Sequence, residues 1–467
     1  MIDKGGEKME FLQQVYDGLL AFSSWYWGIP IILILVCGGI FLTFSIRGIQ
    51  FTRLGYILKK TFGTMFSKGE RDMKKKGVTP LQSMLQAMGT TVGAGNIVGV
   101  ASAIAIGGPG ALFWMWVCGF LAMAIKYSEV LLSVKYREKN TDTDGYRAGP
   151  FMYISKGLHL KPLAMVFAFC IIARVLSMAA SHAKSITATL GDVGVPTVAV
   201  LIFLLAWVII QMRGGLRVAV KISDVIVPFM TFAYIIVALI SILMNIGNIG
   251  TVFAAIFKGA FTGTAAVGGF AGSTFALAMR QGLARGVFSN DAGCGFQSLI
   301  HAQADFIEHP AQQGATAIFE TFIDTIVVCT LTGLMLLFTG NWASGAQGQT
   351  LVLEAASANF GALGVAFVVA AIFLFALTSL NGICNSVKFH ALTYFNGNQK
   401  VAFGCQLLYI ALVGIGCVLP NITTAFAITD LFNGACLTIN MIAILILRKQ
   451  VRESTDDYFG SISKASK

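Results

Sequence analysis

Charge is scarce in this chain. Asp, Glu, Lys and Arg make up 12% of its 467 residues, against about 25% in an ordinary soluble domain. A soluble globular fold is therefore excluded as the frame for reading it. Histidine is rarer still, at positions 159, 182, 301, 309 and 390. None sits beside a nucleophile-and-base cluster or at metal-ligand spacing, which argues against an enzyme. The nine cysteines fall singly along apolar stretches, so they read as small core residues rather than disulfides or metal ligands. The first 25 residues carry acidic groups ahead of the first apolar run and no small-residue cleavage site, and no signal peptide is read there.

What is present in quantity is apolar surface. Hydrophobic residues make up 56% of the chain, and runs of about 20 residues, long enough to cross a bilayer core, recur along it. The reading is an all-α polytopic membrane protein with about eleven spans, near 28–46, 80–106, 111–134, 162–190, 195–212, 218–245, 260–284, 314–339, 360–387, 401–419 and 425–447. The net charge of +11 is placed for topology rather than for nucleic acid. Loop 47–80 holds Arg47, Arg53, Lys59, Lys60, Lys68, Arg71, Lys74, Lys75 and Lys76, and cation-rich loops then alternate with turns at 107–110, 191–194, 340–358 and 420–424 that have no Lys or Arg. The positive-inside rule puts the N-terminus outside and loop 47–80 and the C-terminus in the cytoplasm. Lys258 is the exception to the alternation.

The second span is built from helix breakers. "GTTVGAGNIVG" from Gly89 is matched by "GTAAVGGFAGSTFA" from Gly263 in the seventh. On the alternation above the two run in opposite directions, five spans apart, as in two five-helix halves related by inversion. Interrupted helices at corresponding positions of two halves mark a carrier's midplane site, where half-helix N-termini meet a carboxylate and freed carbonyls meet a cation. Small-residue packing between helices is the competing reading.

Several stretches together resemble the alanine/glycine–sodium symporter family: "VGAGNIVGVASAIAIGGPGALFWMW", "KYSEVLLSVKYRE", "AGPFMYI" at 148–154, "RQGLARGVFSNDAG" at 280–293, "FIDTIVVCTLTGL" and "DLFNG". The resemblance covers residues 25–450. It implies a LeuT-like 5+5 inverted repeat with one extra N-terminal helix. The expected divisions are an extracellular segment 1–27, the extra helix and basic cytoplasmic loop 28–78, repeat one 79–250, repeat two 251–448 and a cytoplasmic tail 449–467. It also implies sodium-coupled symport of a small amino acid across the cell (inner) membrane by alternating access, with Na⁺ as coupling ion and no other cofactor. Partners are then the amino acid, Na⁺ and lipid, not nucleic acid. A proton-coupled or exchange carrier for a larger polar or acidic amino acid is the alternative.

By the same resemblance, sodium falls to Thr90, Val92, Thr378 and Ser379, hard oxygen donors that bury no charge. Substrate falls to Thr91, Gly93, Gly95, Asn96, His182, Gly268, Gly269, Phe270, Ser379 and Ile383. Thr378 and Ser379 keep the family's hydroxyl pair in swapped order; bonding to their own i−4 carbonyls is the plainer reading of such a pair. Ile383 stands where the family has Trp, His182 where it has Gln, Ala94 where it has Thr, and Gly295-Phe296-Gln297-Ser298 where it has GSAP. The Glu that closes the family's segment after Ile383 is missing. These changes point to a substrate longer than alanine with a polar or anionic side chain.

Seven ionisable groups in or near the expected spans remain. Asp224, His182 and Lys184 lie in apolar context, and burial in lipid makes such groups functional candidates. Glu320 with Asp324, and Lys126 with Glu129, read as structural pairs or snorkelling groups near the cytoplasmic ends. The resemblance puts Asp324 at the cytoplasmic gate. His182 edges a polar stripe of Arg174, Ser177, Ser181 and Ser185 on the fourth span, with Lys184 on its far flank.

Overall fold

The computed structural model describes residues 18, 21–23, 25–74, 76–93, 95–140, 145–262, 275–419 and 422–465, with side chains at 68, 71, 215–217, 422–428 and 463–465 excepted. Sixteen helices frame the fold. They are α1 (Ile29–Ser45), α2 (Leu54–Met65), α3 (Lys68–Lys74), α4 (Pro80–Thr91), α5 (Gly95–Gly107), α6 (Gly110–Lys135), α7 (Lys161–Gly191), α8 (Thr197–Met244), α9 (Ile249–Phe261), α10 (Phe275–Asn290), α11 (Phe296–His301), α12 (Pro310–Thr339), α13 (Gly348–Tyr394), α14 (Gln399–Val418), α15 (Ile422–Ile446) and α16 (Arg448–Ala465). One antiparallel pair of two-residue strands, Glu138–Lys139 with Tyr146–Arg147, closes a loop.

Among the described residues, eight helices are long and apolar enough to cross a membrane, and nine if the bent pair α4–α5 is one span. The expected count of about eleven is not reached on that measure. The first expected span, α1, is 17 residues long; of the seventh, expected at 260–284, residues 263–274 lie outside the described residues, and the part from Phe275 is helical, in α10.

Two boundaries differ from expectation. The loop expected at 213–221 is helical, because α8 runs on from Thr197–Gly214 into Val218–Met244. No proline falls within 213–221, the helix's Pro228 lying further on, so the three cations there are carried on helix backbone. The turn expected at 340–358 contains the start of α13, which breaks at Gly361 (φ 58°).

The interior is where α6 lies along α10 and α12, and where α7 is enclosed by α13, α14 and α15. The entry to α4 shows how local sequence sets this geometry. The Thr79 hydroxyl accepts from the Gln82 amide at 3.1 Å, Gln82 accepts from the Thr79 amide at 3.3 Å, and Pro80 takes the first helical position. That reciprocal cap satisfies donors a helix start otherwise leaves bare. Asp224 proves to be a tie rather than a site: Lys74 of α3 donates to both its oxygens at 2.8 and 2.7 Å, pinning the basic loop to α8.

Candidate functional site

The second span is broken as its glycines require. Helix α4 ends at Thr91, Val92 is extended, and α5 starts at Gly95 with a wide π turn through Gly99. The two halves meet at 50°. The Asn96 side chain closes the break by accepting from the Gly93 amide at 2.9 Å. Gly93 keeps this space tight: a Cβ on it would stand 2.9 Å from Ser379 Oγ, which would have to shift, and 3.8 Å from His182 Cε1. That one position brings the fourth and ninth spans against the break.

On α13, Ser379 Oγ lies 3.4 Å from the Gly89 carbonyl oxygen and 3.5 Å from that of Thr90. It also reaches its own helix at Phe375 O, 3.0 Å away, as Thr378 does at 2.9 Å. The hydroxyl pair thus bonds back to its own helix as well as facing the last-turn carbonyls of α4. Those carbonyls lack intrahelical partners and carry the negative end of the helix dipole. Gly89 adds a backbone carbonyl outside the expected set, beside that of Thr90. Close approach of α13 at this point depends on Gly382, where any Cβ would overlap Thr90 Cγ2.

His182 is buried, at 5% exposure, and neither ring nitrogen has a hydrogen-bond partner among the described residues. Leaving such a group unpaired costs about 1–3 kcal/mol, so an orphaned imidazole beside a helix break needs a reason. The serines of its stripe are satisfied locally: Ser177 reaches Arg174 O at 2.8 Å, and Ser185 reaches Ser181 O at 3.0 Å. His182, at the edge of the stripe, lies against Gly93.

The other candidates separate. Gly95 packs against the Phe288 ring of α10. Asn96 Nδ2 donates to Asp324 Oδ1 at 2.8 Å and to its carbonyl at 3.1 Å. Thr91 turns toward Glu320, 3.3 Å away. Ile383 is fully buried on α13, one turn beyond Ser379. Ala94, Gly268, Gly269 and Phe270 lie outside the described residues.

The buried charges pair across helices rather than along them. Lys126 Nζ meets Glu320 Oε1 at 2.8 Å, both fully buried, and not Glu129 one turn away. Glu129 instead accepts from Asn440 Nδ2 at 2.9 Å. Arg174 is held by Asp291 and Asn433. Snorkelling is excluded for Lys126, since its ammonium ends inside the protein. Asp324 sits in the π-helical stretch Phe322–Cys329, where its second oxygen accepts from Thr325 and Ser289 at 3.0 and 3.2 Å. Among the described residues no group of three or more His, Cys, Asp or Glu is gathered as a metal-ion site.

A profile described as the sodium:alanine symporter family matches residues 9–467. The chain belongs to that family. It is 35% identical to the sodium/alanine symporter AgcS of Methanococcus maripaludis, over 93% of this chain and 95% of AgcS. It is 30% identical to the probable sodium/glutamine symporter GlnT of Bacillus subtilis, over 96% of this chain and 91% of GlnT. Its fold is similar to that of MhsT crystallised with L-phenylalanine, at a TM-score of 0.55 and 15% identity, covering 82% of this chain and 98% of that one. The symporter is accordingly a multi-pass, LeuT-like membrane carrier in a sodium-coupled amino-acid family, not an enzyme class.

Proposed function

We propose that this symporter moves a small amino acid across the cell membrane with Na⁺ by alternating access, and that both bind at the break between α4 and α5. The observation that carries this reading is Ser379 Oγ standing 3.4 and 3.5 Å from the Gly89 and Thr90 carbonyls. Those spacings are long for hydroxyl hydrogen bonds, which centre near 2.7–2.8 Å. They suit neighbouring ligands of one hard cation held at about 2.4 Å from each oxygen. Gly89, Thr90 and Val92 would supply carbonyls, and Thr378 and Ser379 hydroxyls.

The substrate's carboxylate then meets the amides opening α5, and its ammonium the freed carbonyls at the end of α4, each matched to a helix-dipole end. Gly93 gives the backbone room to approach. His182 faces the side chain of the substrate, with Ile383 one turn beyond Ser379; the family resemblance adds Gly268, Gly269 and Phe270 as substrate residues. The unpartnered imidazole favours a polar side chain over alanine's methyl. This extends the reading from alanine, named for AgcS, toward glutamine, named for GlnT.

The test is uptake of labelled alanine, serine, asparagine, glutamine and glutamate into proteoliposomes, with and without an inward Na⁺ gradient. Uptake should saturate, require Na⁺ and lose that dependence in the Thr378→Ala/Ser379→Ala double variant at equal protein incorporation. Uptake driven by a proton gradient and indifferent to Na⁺ would overturn the ion assignment. It would favour the proton-coupled alternative.

A further inference from the structure

Glu320 is the hub of a buried polar cluster drawn from four helices, and one spoke ends at the break. Its Oε1 meets Lys126 Nζ of α6 at 2.8 Å, and its Oε2 meets His301 Nε2 of α11 at 2.6 Å. Gln313 Nε2 lies 3.0 Å from His301 Nδ1, and the same amide nitrogen donates to Ser83 Oγ at 2.9 Å. With the amide donating, Nδ1 accepts, so Nε2 carries the hydrogen that points at Glu320. Lys126 is braced in turn by the Asn290 carbonyl at 2.9 Å. The remaining spoke is Thr91 Oγ1, whose single hydrogen has Glu320 Oε1 at 3.3 Å as its acceptor outside α4, beside the carbonyls of Met88 at 3.2 Å and Ala87 at 3.5 Å on its own helix.

Such a cluster is a poor device for stability alone, because apolar replacements of buried ion pairs are often as stable or more so. Its position gives it another use. Thr91 is the last residue of α4, and the two residues before it present the carbonyls that face Ser379. A fixed acceptor for Thr91 sets the rotation of that last turn, and so the direction of both carbonyls. The carboxylate is itself held on one side by an ammonium and on the other by an imidazole N–H, so it cannot swing with the helix end.

We propose that Glu320 is a positioning residue for the coupling ion, acting through Thr91 while Lys126 and His301 hold it in place. This rests on the proposed ion site between α4 and α13. Thr91→Val removes the hydroxyl at constant shape and leaves the charged cluster intact. It should raise the Na⁺ concentration for half-maximal uptake about fivefold, with the substrate KM at saturating Na⁺ moving less than about twofold. Lys126→Met/Glu320→Leu removes the acceptor without leaving a charge unpaired, and should produce the same Na⁺ shift. Adding Thr91→Val to that pair should then change nothing further, since residues acting through one contact are not additive. A Thr91→Val variant with unchanged Na⁺ dependence, or shifts that add in the combined variant, overturns the inference and leaves the ion site standing. Wild-type uptake that ignores Na⁺ overturns both.

Discussion

At the residue scale, selectivity turns on two side chains. A site that hydrogen-bonds a substrate group rejects analogues lacking it, because its own buried polar group is then left unpaired. His182 is such a group, with both nitrogens free of partners among the described residues. Ile383 replaces the family's aromatic with a smaller side chain. The double variant His182→Gln/Ile383→Trp should therefore shift preference from glutamine or serine toward alanine and glycine, by about tenfold in the ratio of kcat/KM. Competition uptake reads that ratio directly. A wild type that already prefers alanine, with a ranking the double change does not alter, refutes the assignment of His182. The sequence made His182 visible through its register with a family glutamine. It could not show that Thr91, Gly95 and Asn96 turn away from it. Neighbours on one broken helix point in different directions once the 3.6 period is interrupted, and a backbone carbonyl such as that of Gly89 has no sequence signature at all.

At the element scale, the contact between α4 and α13 is set by Gly382, whose missing Cβ leaves room for Thr90 Cγ2. The Thr90 hydroxyl donates to the Ala87 carbonyl at 2.6 Å and accepts from Gln297 Nε2 at 3.1 Å, which fixes its rotamer, so it cannot easily yield. Overpacking of this kind costs about 1–3 kcal/mol and here pushes Ser379 away from its facing carbonyls. Gly382→Ala should reduce Na⁺-driven uptake about tenfold at normal expression, and Thr90→Ser, which deletes Cγ2 but keeps the hydroxyl, should restore much of it. Full uptake by Gly382→Ala alone would show that the two helices do not meet this closely. The break in the second span was legible in advance because glycines in an apolar run conflict with helix propensity, and that conflict is local. Partner choice was not. Lys126 has Glu129 three residues away, yet pairs with Glu320 at 194 positions' remove. Helical spacing says which face a charge occupies, but which helix covers that face is decided by packing across the whole bundle. The continuous α8 has the same origin: cations at 213, 217 and 221 read as a loop by hydropathy but fit a helix equally well.

At the scale of the whole molecule, the sidedness expected from charge has a structural counterpart. The terminal helix α16 is tied to the basic loop that follows α1. Arg47 bonds Asp456 at 2.9 Å, and Lys60 donates to the Tyr458 hydroxyl at 2.9 Å. His309, just before α12, stacks on the Tyr458 ring at 5.3 Å. Loop 47–80, the entrance to α12 and the tail therefore share one end of the bundle, which requires an even number of crossings between loop and tail. The ten crossings expected from the sequence after the first span would satisfy that condition. Which end faces the cytoplasm is carried by the cation count alone, since lipid-facing helices look alike from either side. Single cysteines at Lys76 and at Gln347, both exposed, in a variant lacking the nine native cysteines, separate the two orientations. An impermeant thiol reagent added to intact cells should label position 347 and spare position 76 until the membrane is permeabilised. The reverse pattern inverts the topology. Labelling of both from outside would mean that the two positions share a side, and would overturn the odd number of crossings expected between them.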